Sequence, residues 1–261
     1  MKAGAARGVW QAALLWTLIL VLGLCLLYPI VLTVRGGLAA DPVNRTGWTL
    51  DHILLVFQDP TRVAGIVNSL TIASGTTLLA MLIGFPLALL GAGRRFPGKG
   101  IVSALVLAPL VLPPFVGAIG MRAILGREGA LATLLGADLD VFGDGRMLGV
   151  IVVQALALYP IIYLNASAAL ANLDPALGEA ATNLGSGPVR RFFRVTLPLV
   201  RSGLFAGGTI VFIWSFTELG TPLMFDVLEV TPVQVFNGLK EVETSAEPYA
   251  LTIVMLVIAI T

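Results

Sequence analysis

EAATNLGSGPVRRFFRVTLP, residues Glu179 to Pro198, lies between two strongly apolar segments and carries three arginines of its own. Just upstream, Asp174-Pro175 predicts a helix start, with Asp capping free N–H groups and Pro suited to the first helical position. That helix is expected to run to about Leu184 and stop at Gly185, since glycine readily takes the left-handed C-cap conformation. Ser186 then caps a second short helix in this reading, with Pro188 near its start and its end before Pro198. On the first helix Ala176 and Ala180 share a small-residue face that Ala181 widens. On the second, Val189, Phe193 and Leu197 form an apolar stripe, and Arg190 and Arg194 a cationic edge with Arg191 beside it. Two short helices joined by a glycine describe a docking element. An interfacial or re-entrant loop with ordinary basic residues fits the same residues equally well.

The surrounding composition sets the solvent. The chain has 261 residues, 57% hydrophobic and 12% charged, with mean hydropathy +0.94. Soluble domains carry about 25% charged residues, so the expected class is an integral membrane protein. The single cysteine, Cys25, and the single histidine, His52, leave little material for a disulfide, a zinc site or His-based catalysis. His52 reads as a solvated loop residue. No catalytic residue, metal site or cofactor is expected, and no nucleic-acid partner.

A helix needs about 20 apolar residues to cross the hydrocarbon core. Candidate spans are 12–34, 66–91, 101–124, 147–171 and 199–225. A sixth apolar run, from Tyr249 to Thr261, is too short to span and reads as a helix cut within its length. The first run exceeds the ~7–15 residues of a signal-peptide core, so it is expected to remain as a helix. With the N-terminus inside, the cytoplasmic stretches hold Lys2, Arg7, Arg94, Arg95, Lys99, Arg190, Arg191, Arg194 and Arg201 against only Asp174 and Glu179. The external loops are acidic, through Asp138, Asp140, Asp144, Glu229, Glu241, Glu243 and Glu247 among others. Cytoplasmic loops are the basic ones, which places residues 179–198 in the cytoplasm. Pro86, Pro109, Pro113, Pro114, Pro160 and Pro222 punctuate the spans. Gly203 and Gly207 form a small-xxx-small pair that lets helices approach closely. The expected fold is an all-α polytopic membrane protein of about six transmembrane helices, its sixth truncated.

The opening stretch resembles the EAA signature of type I binding-protein-dependent ABC importer permeases. Glu179, Ala180, Ala181, Gly185, Leu197 and Pro198 stand where that signature has its Glu-Ala-Ala, its glycine and its Leu-Pro. The resemblance implies that the cytoplasmic loop, residues 174–198 with Arg190, Arg191 and Arg194, forms coupling helices that dock on an ATPase. It implies a multi-pass subunit of a bacterial inner membrane, surrounded by lipid. Its partners would be a cytoplasmic ABC ATPase dimer, a second permease half (fused or separate) and an external solute-binding protein. The likeness covers roughly residues 60–261, dividing the chain into an amino-terminal helix and external loop, 1–60, and a permease core, 61–261. LVLPPFVGAIGMRAILGREG (Leu110 to Gly129) and FTELGTPLMF (Phe216 to Phe225) are similar to segments of ferric-iron permeases, which often fuse two halves in one chain. Ferric iron is therefore the expected solute, with putrescine, thiamine or phosphonate as alternatives.

GRRFPGKG, Gly93 to Gly100, nearly spells a phosphate-binding loop. The position of its Mg²⁺-binding hydroxyl is Gly100, and no strand precedes it. It reads as a basic turn, and ATP hydrolysis is assigned to a separate subunit. Intramembrane acids are functional candidates by default, and Glu218 in the fifth predicted span is the clear one. Thr217, Thr221 and Asn165 are further polar side chains that could line a path or bond between helices. A secondary transporter would call for coupling-ion carboxylates or an inverted repeat, and an intramembrane enzyme for a paired nucleophile and base. Neither pattern is found in the sequence.

Overall fold

The computed structural model describes residues 2–92, 97–126, 129–136, 145–241 and 245–261. Arg94, Arg95, Asp138, Asp140, Asp144 and Glu243 lie outside the described residues, as do the side chains of Lys2, Arg7 and Glu241. The described residues form helices α1 (Lys2–Leu38), α2 (Asp51–Gln58), α3 (Pro60–Ala92), α4 (Lys99–Leu107), α5 (Pro114–Leu125), α6 (Ala130–Leu135), α7 (Arg146–Ala171), α8 (Pro175–Asn183), α9 (Pro188–Arg191), α10 (Leu197–Thr217), α11 (Gly220–Met224), α12 (Thr231–Gly238) and α13 (Glu247–Ile260). Among the described residues four continuous helices are long and apolar enough to cross a membrane: Trp10–Leu38, Pro60–Ala92, Arg146–Ala171 and Pro188–Thr217. α13 is a 14-residue apolar helix, shorter than a span.

Proline decides where two of the predicted spans break. The run 101–124 is bent rather than straight. After α4 a 3₁₀ turn, Ala108–Val111, gives way to extended backbone at Leu112 and Pro113 before α5 restarts. A residue before proline is pushed out of the helical region, and Pro114 suits the first turn of the next helix. The run 199–225 ends early, at Thr217, with Glu218 extended (ψ 126°). Continuing that helix would drive the Pro222 ring into the Glu218 carbonyl, four residues back. Pro86 and Pro160, by contrast, are carried inside α3 and α7.

The chain forms two compact units. One comprises residues 1–63 and 234–261. Here Gly36 and Gly37 let α1 lie on α13: a Cβ at Gly37 would stand 3.1 Å from the Ala250 nitrogen. Arg45, in the left-handed region (φ 53°), donates to the Tyr249 hydroxyl at 3.0 Å and sits over its ring. Asp59 caps α3 through the Thr61 N–H (2.8 Å) and, with Glu247, pairs with Arg62. His52 belongs to α2 rather than to a loop, and its Nε2 lies 3.1 Å from the Ala39 carbonyl oxygen.

The other unit, residues 64–233, is built around α7. Gly203 and Gly207 of α10 face it: Cβ atoms there would come 2.6 Å from the Ala169 Cβ and 3.1 Å from the Asn165 Cβ. From α3, a Cβ at Gly84 would be 2.6 Å from the Tyr159 carbonyl oxygen. The expected small-xxx-small pair is thus a packing device. One buried cluster gathers Ala80, Leu158, Ile162 and Val211; a second gathers Ile72, Val150, Val153, Phe225 and Val230.

Gly84→Val should lower the detergent melting temperature and the yield of monodisperse protein, in line with overpacking costs of about 1–3 kcal/mol. Gly120→Ala, with nothing within 4 Å of its Cβ, should leave both unchanged. The Thr61 amide holds the Asp59 carboxyl below its ordinary value of 3.8. A lowered folded pKa means the cap stabilises fully above that ordinary value and is lost as pH falls through the lowered one. Amide exchange at the start of α3 should accelerate over that acid window, and Asp59→Asn should remove most of the pH dependence.

Candidate functional site

The segment 174–198 is assembled from local rules. Asp174 accepts the Ala176 N–H at 2.9 Å, and Pro175 occupies the first helical position of α8. The helix closes with Gly185 in the left-handed region (φ 77°), Ser186 N–H bonded to the Ala181 carbonyl and Gly185 N–H to the Thr182 carbonyl, both at 2.9 Å. These are the two bonds of a Schellman C-cap. Ser186 does not cap the next helix: Gly187 stands at that position, with no side-chain cap.

The second helix does not end before Pro198. α9 passes through a π turn, Phe192–Thr196, directly into α10, so that Pro188–Thr217 is one helix of 30 residues. In the turn the Leu197 N–H reaches back to the Phe192 carbonyl. Pro198 has no N–H to give and a ring that crowds the preceding turn, and a widened turn accommodates it. Arg191 ties the two helices together by donating to the Thr182 hydroxyl at 3.1 Å. Phe192 rests 6.0 Å from Phe85 of α3, centroid to centroid, and meets Phe193 edge-on at 5.0 Å.

What the segment leaves outside is apolar and basic. Leu184, Val189 and Phe193 are 86%, 69% and 60% exposed. Glu179, Ala180, Arg190, Arg194 and Pro198 are exposed, and Ala181 and Leu197 half-buried. Large apolar side chains held out beside cations on a fixed helical frame suit recognition by another protein.

A second feature is a cleft of about 380 Å³ where the broken run 101–124 meets α7 and α10. Leu110 to Phe115, Ala157, Leu158, Trp214 and Glu218 line it. Its carboxylate is already engaged: Glu218 Oε1 accepts the N–H groups of Gly220 (3.0 Å) and Thr221 (3.2 Å), capping α11. Thr221 is buried beside it, its hydroxyl without a partner among the described residues. Thr217 and Asn165 are not brought to Glu218. The Thr217 hydroxyl bonds the Ile213 carbonyl and the Asn165 amide the Ile161 carbonyl, each within its own helix at 2.9 Å. Nearby, Arg122 of α5 pairs with Asp226 at 3.0 Å and also donates to the Met224 carbonyl. Sequence reasoning passed over a buried polar group, Gln154 with Thr76 and Ser215. Its signal was a lone glutamine inside VIVVQALAL, residues 150–158.

Residues 80–261 match the family model described as the binding-protein-dependent transport system inner membrane component. A probable molybdenum ABC transporter permease protein of Haloferax volcanii is 34% identical over 189 residues, covering 72% of this chain and 68% of the relative. A molybdate/tungstate transport system permease protein of Pyrococcus furiosus is 28% identical over 222 residues, covering 83% and 82%. Among solved structures, a chain of the bacterial alginate ABC transporter in complex with its alginate-bound periplasmic protein has a similar fold. Its TM-score is 0.76 at 19% identity, over 98% of this chain and 94% of that one.

Gly185→Ala should unwind the end of α8, because a side chain in the left-handed region costs roughly 1–2 kcal/mol. Hydrogen exchange should speed up at residues 182–186 by about tenfold and leave α7 unchanged.

Proposed function

The chain belongs to the family of binding-protein-dependent transport system inner membrane components, and from the names of its relatives we propose that it moves an oxyanion of the molybdate class into the cytoplasm. It is a multi-pass membrane protein and a transport subunit. ATP would be hydrolysed on a separate ABC ATPase dimer, docked on residues 174–198. The solute would arrive from an external binding protein, and a second permease half would complete the pathway. The observation that carries the docking reading is the rigid frame of the segment. It is capped at Asp174, closed at Gly185 and clamped by Arg191 on Thr182, and it leaves Leu184, Val189 and Phe193 exposed. Glu179, Ala180 and Ala181 supply its small and acidic face; Arg190 and Arg194 supply its charge, and Leu197-Pro198 lead it into α10.

Support for an oxyanion comes from the names of the relatives, which carry molybdenum and molybdate/tungstate. The ferric-iron expectation draws no support from them. Glu218 fits the same direction. A carboxylate that caps α11 with two backbone N–H bonds serves the shape of the path rather than the binding of a cation. Glu218 and Thr221 are assigned to the lining and support of the cleft. Thr217 and Asn165, whose polar groups bond within their own helices, are assigned to the path only as further lining residues. Substrate selection would belong chiefly to the binding protein.

The test is co-purification of the tagged chain with its ATPase, wild type against Glu179→Arg and Gly185→Arg. Each substitution should weaken retention of the ATPase by about tenfold or more, as loss of an interface hot spot does, with membrane insertion unchanged. In proteoliposomes, molybdate-loaded binding protein should stimulate hydrolysis and a ferric-loaded one should not. Retention of the ATPase by both variants would remove the docking reading. Stimulation by ferric iron instead would remove the oxyanion.

A further inference from the structure

A glutamine inside an apolar helix must find its partners across helix seams, because its own backbone is engaged in the helical ladder. Gln154 of α7 is 0% exposed. Its Oε1 accepts the hydroxyl of Thr76 from α3 at 3.4 Å and the hydroxyl of Ser215 from α10. Both hydroxyl residues are buried, at 0% and 3%. The Gln154 Nε2 finds no acceptor among the described residues. Hydroxyls donate as well as accept, so exchanging the amide oxygen and nitrogen changes nothing: one head meets two hydroxyls and the other meets none. A half-satisfied buried network is less favourable than an apolar core.

The position of Ser215 gives the residual cost a use. It lies three residues before Glu218, where α10 ends, and its carbonyl accepts the Glu218 N–H at 3.3 Å. Glu218 in turn caps α11 and lines the cleft. At its other end the same 30-residue helix begins as the exposed segment at Pro188. At 1.5 Å per residue, a displacement at Pro188 is carried about 40 Å to Ser215 along one continuous helix. Gln154 bonds that helix to α7 and α3 together, next to the break that bounds the cleft.

We propose that Gln154 is a positioning residue of the transport cycle, a latch holding the carboxyl end of α10 to α7 and α3 in this packing. It releases Ser215 when the segment at Pro188 is driven, and the Glu218-capped wall of the cleft moves with it. Interfaces of this kind switch between discrete packings rather than deforming continuously. The inference rests on the importer reading above.

The test uses the assembled transporter, permease with ATPase, in proteoliposomes. ATP hydrolysis is measured with and without molybdate-loaded binding protein, alongside molybdate taken up per ATP. For Gln154→Leu, hydrolysis without binding protein should rise about fivefold, the population shift expected from one net hydrogen bond, and uptake per ATP should fall. Ser215→Ala should move both quantities the same way, and the double variant should add nothing further. Thr76→Val, close in shape to threonine, decides the matter if Gln154→Leu fails to assemble. A merely structural role would lower the amount of complex while leaving the ratio of basal to stimulated hydrolysis at the wild-type value, and that result overturns the latch. Failure of the wild-type chain to retain any ATPase overturns the importer reading itself, and the latch with it.

Discussion

A backbone in hydrocarbon has no water to satisfy its peptide groups, so each interruption of a helix must be supplied with partners from within the protein. Among the described residues three departures from regular helix shape the unit of residues 64–233, two of them inside apolar runs, and each is handled differently. At Leu112–Pro113 the chain bends, and the preceding 3₁₀ turn tightens the end of α4. At Glu218 the freed N–H groups of α11 are taken by the side chain of Glu218 itself. At Phe192–Thr196 the ladder is widened rather than broken, and the helix runs on past Pro198. The first two interruptions border the cleft. The third preserves a mechanical connection between the exposed segment and the membrane-spanning part of α10.

That connection gives the small residues of α10 a second meaning. Gly203 brings α10 against the Asn165–Ala169 stretch of α7 at a distance no side chain allows, and Gly207 brings it within tight contact. Two backbones this close cannot slide by fractions of a side chain without collision. They can exchange one interdigitated arrangement for another. A rigid helix seated in a seam with few alternative packings suits a device that converts motion at one end into a defined change at the other. The Phe192–Phe85 contact adds α3 to the same train of parts.

Glu218 shows how one side chain can serve a helix end and a cleft wall together. An acid in an apolar run stands out in any sequence and is a functional candidate by default. Its two backbone bonds turn it into a cap, and its place on the cleft wall follows from where Pro222 forces α10 to end. Gln154 is the reverse case. An amide draws less notice than an acid, yet it joins three helices at full burial.

Much of this was legible from the order of residues. Asp174-Pro175 and Gly185 bounded α8 because caps are made by side chains and backbone conformations only a few residues apart. Hydropathy located the spans for a similar reason: the bilayer acts on each segment by its length and polarity. The small-xxx-small pair named a packing face without naming its partner. What tertiary structure alone decided were the matters that depend on residues distant in sequence. Those were the seating of Gly203 on Ala169, the convergence of Thr76, Gln154 and Ser215, and the cleft between the broken run and Trp214. Even the fate of Pro198 belongs here. The chain takes a π turn at Phe192–Thr196 and runs on past Pro198, with Phe192 seated against Phe85 of another helix. Local chemistry fixes where a helix can begin and end; only the packing of separate helices fixes which of those options is taken.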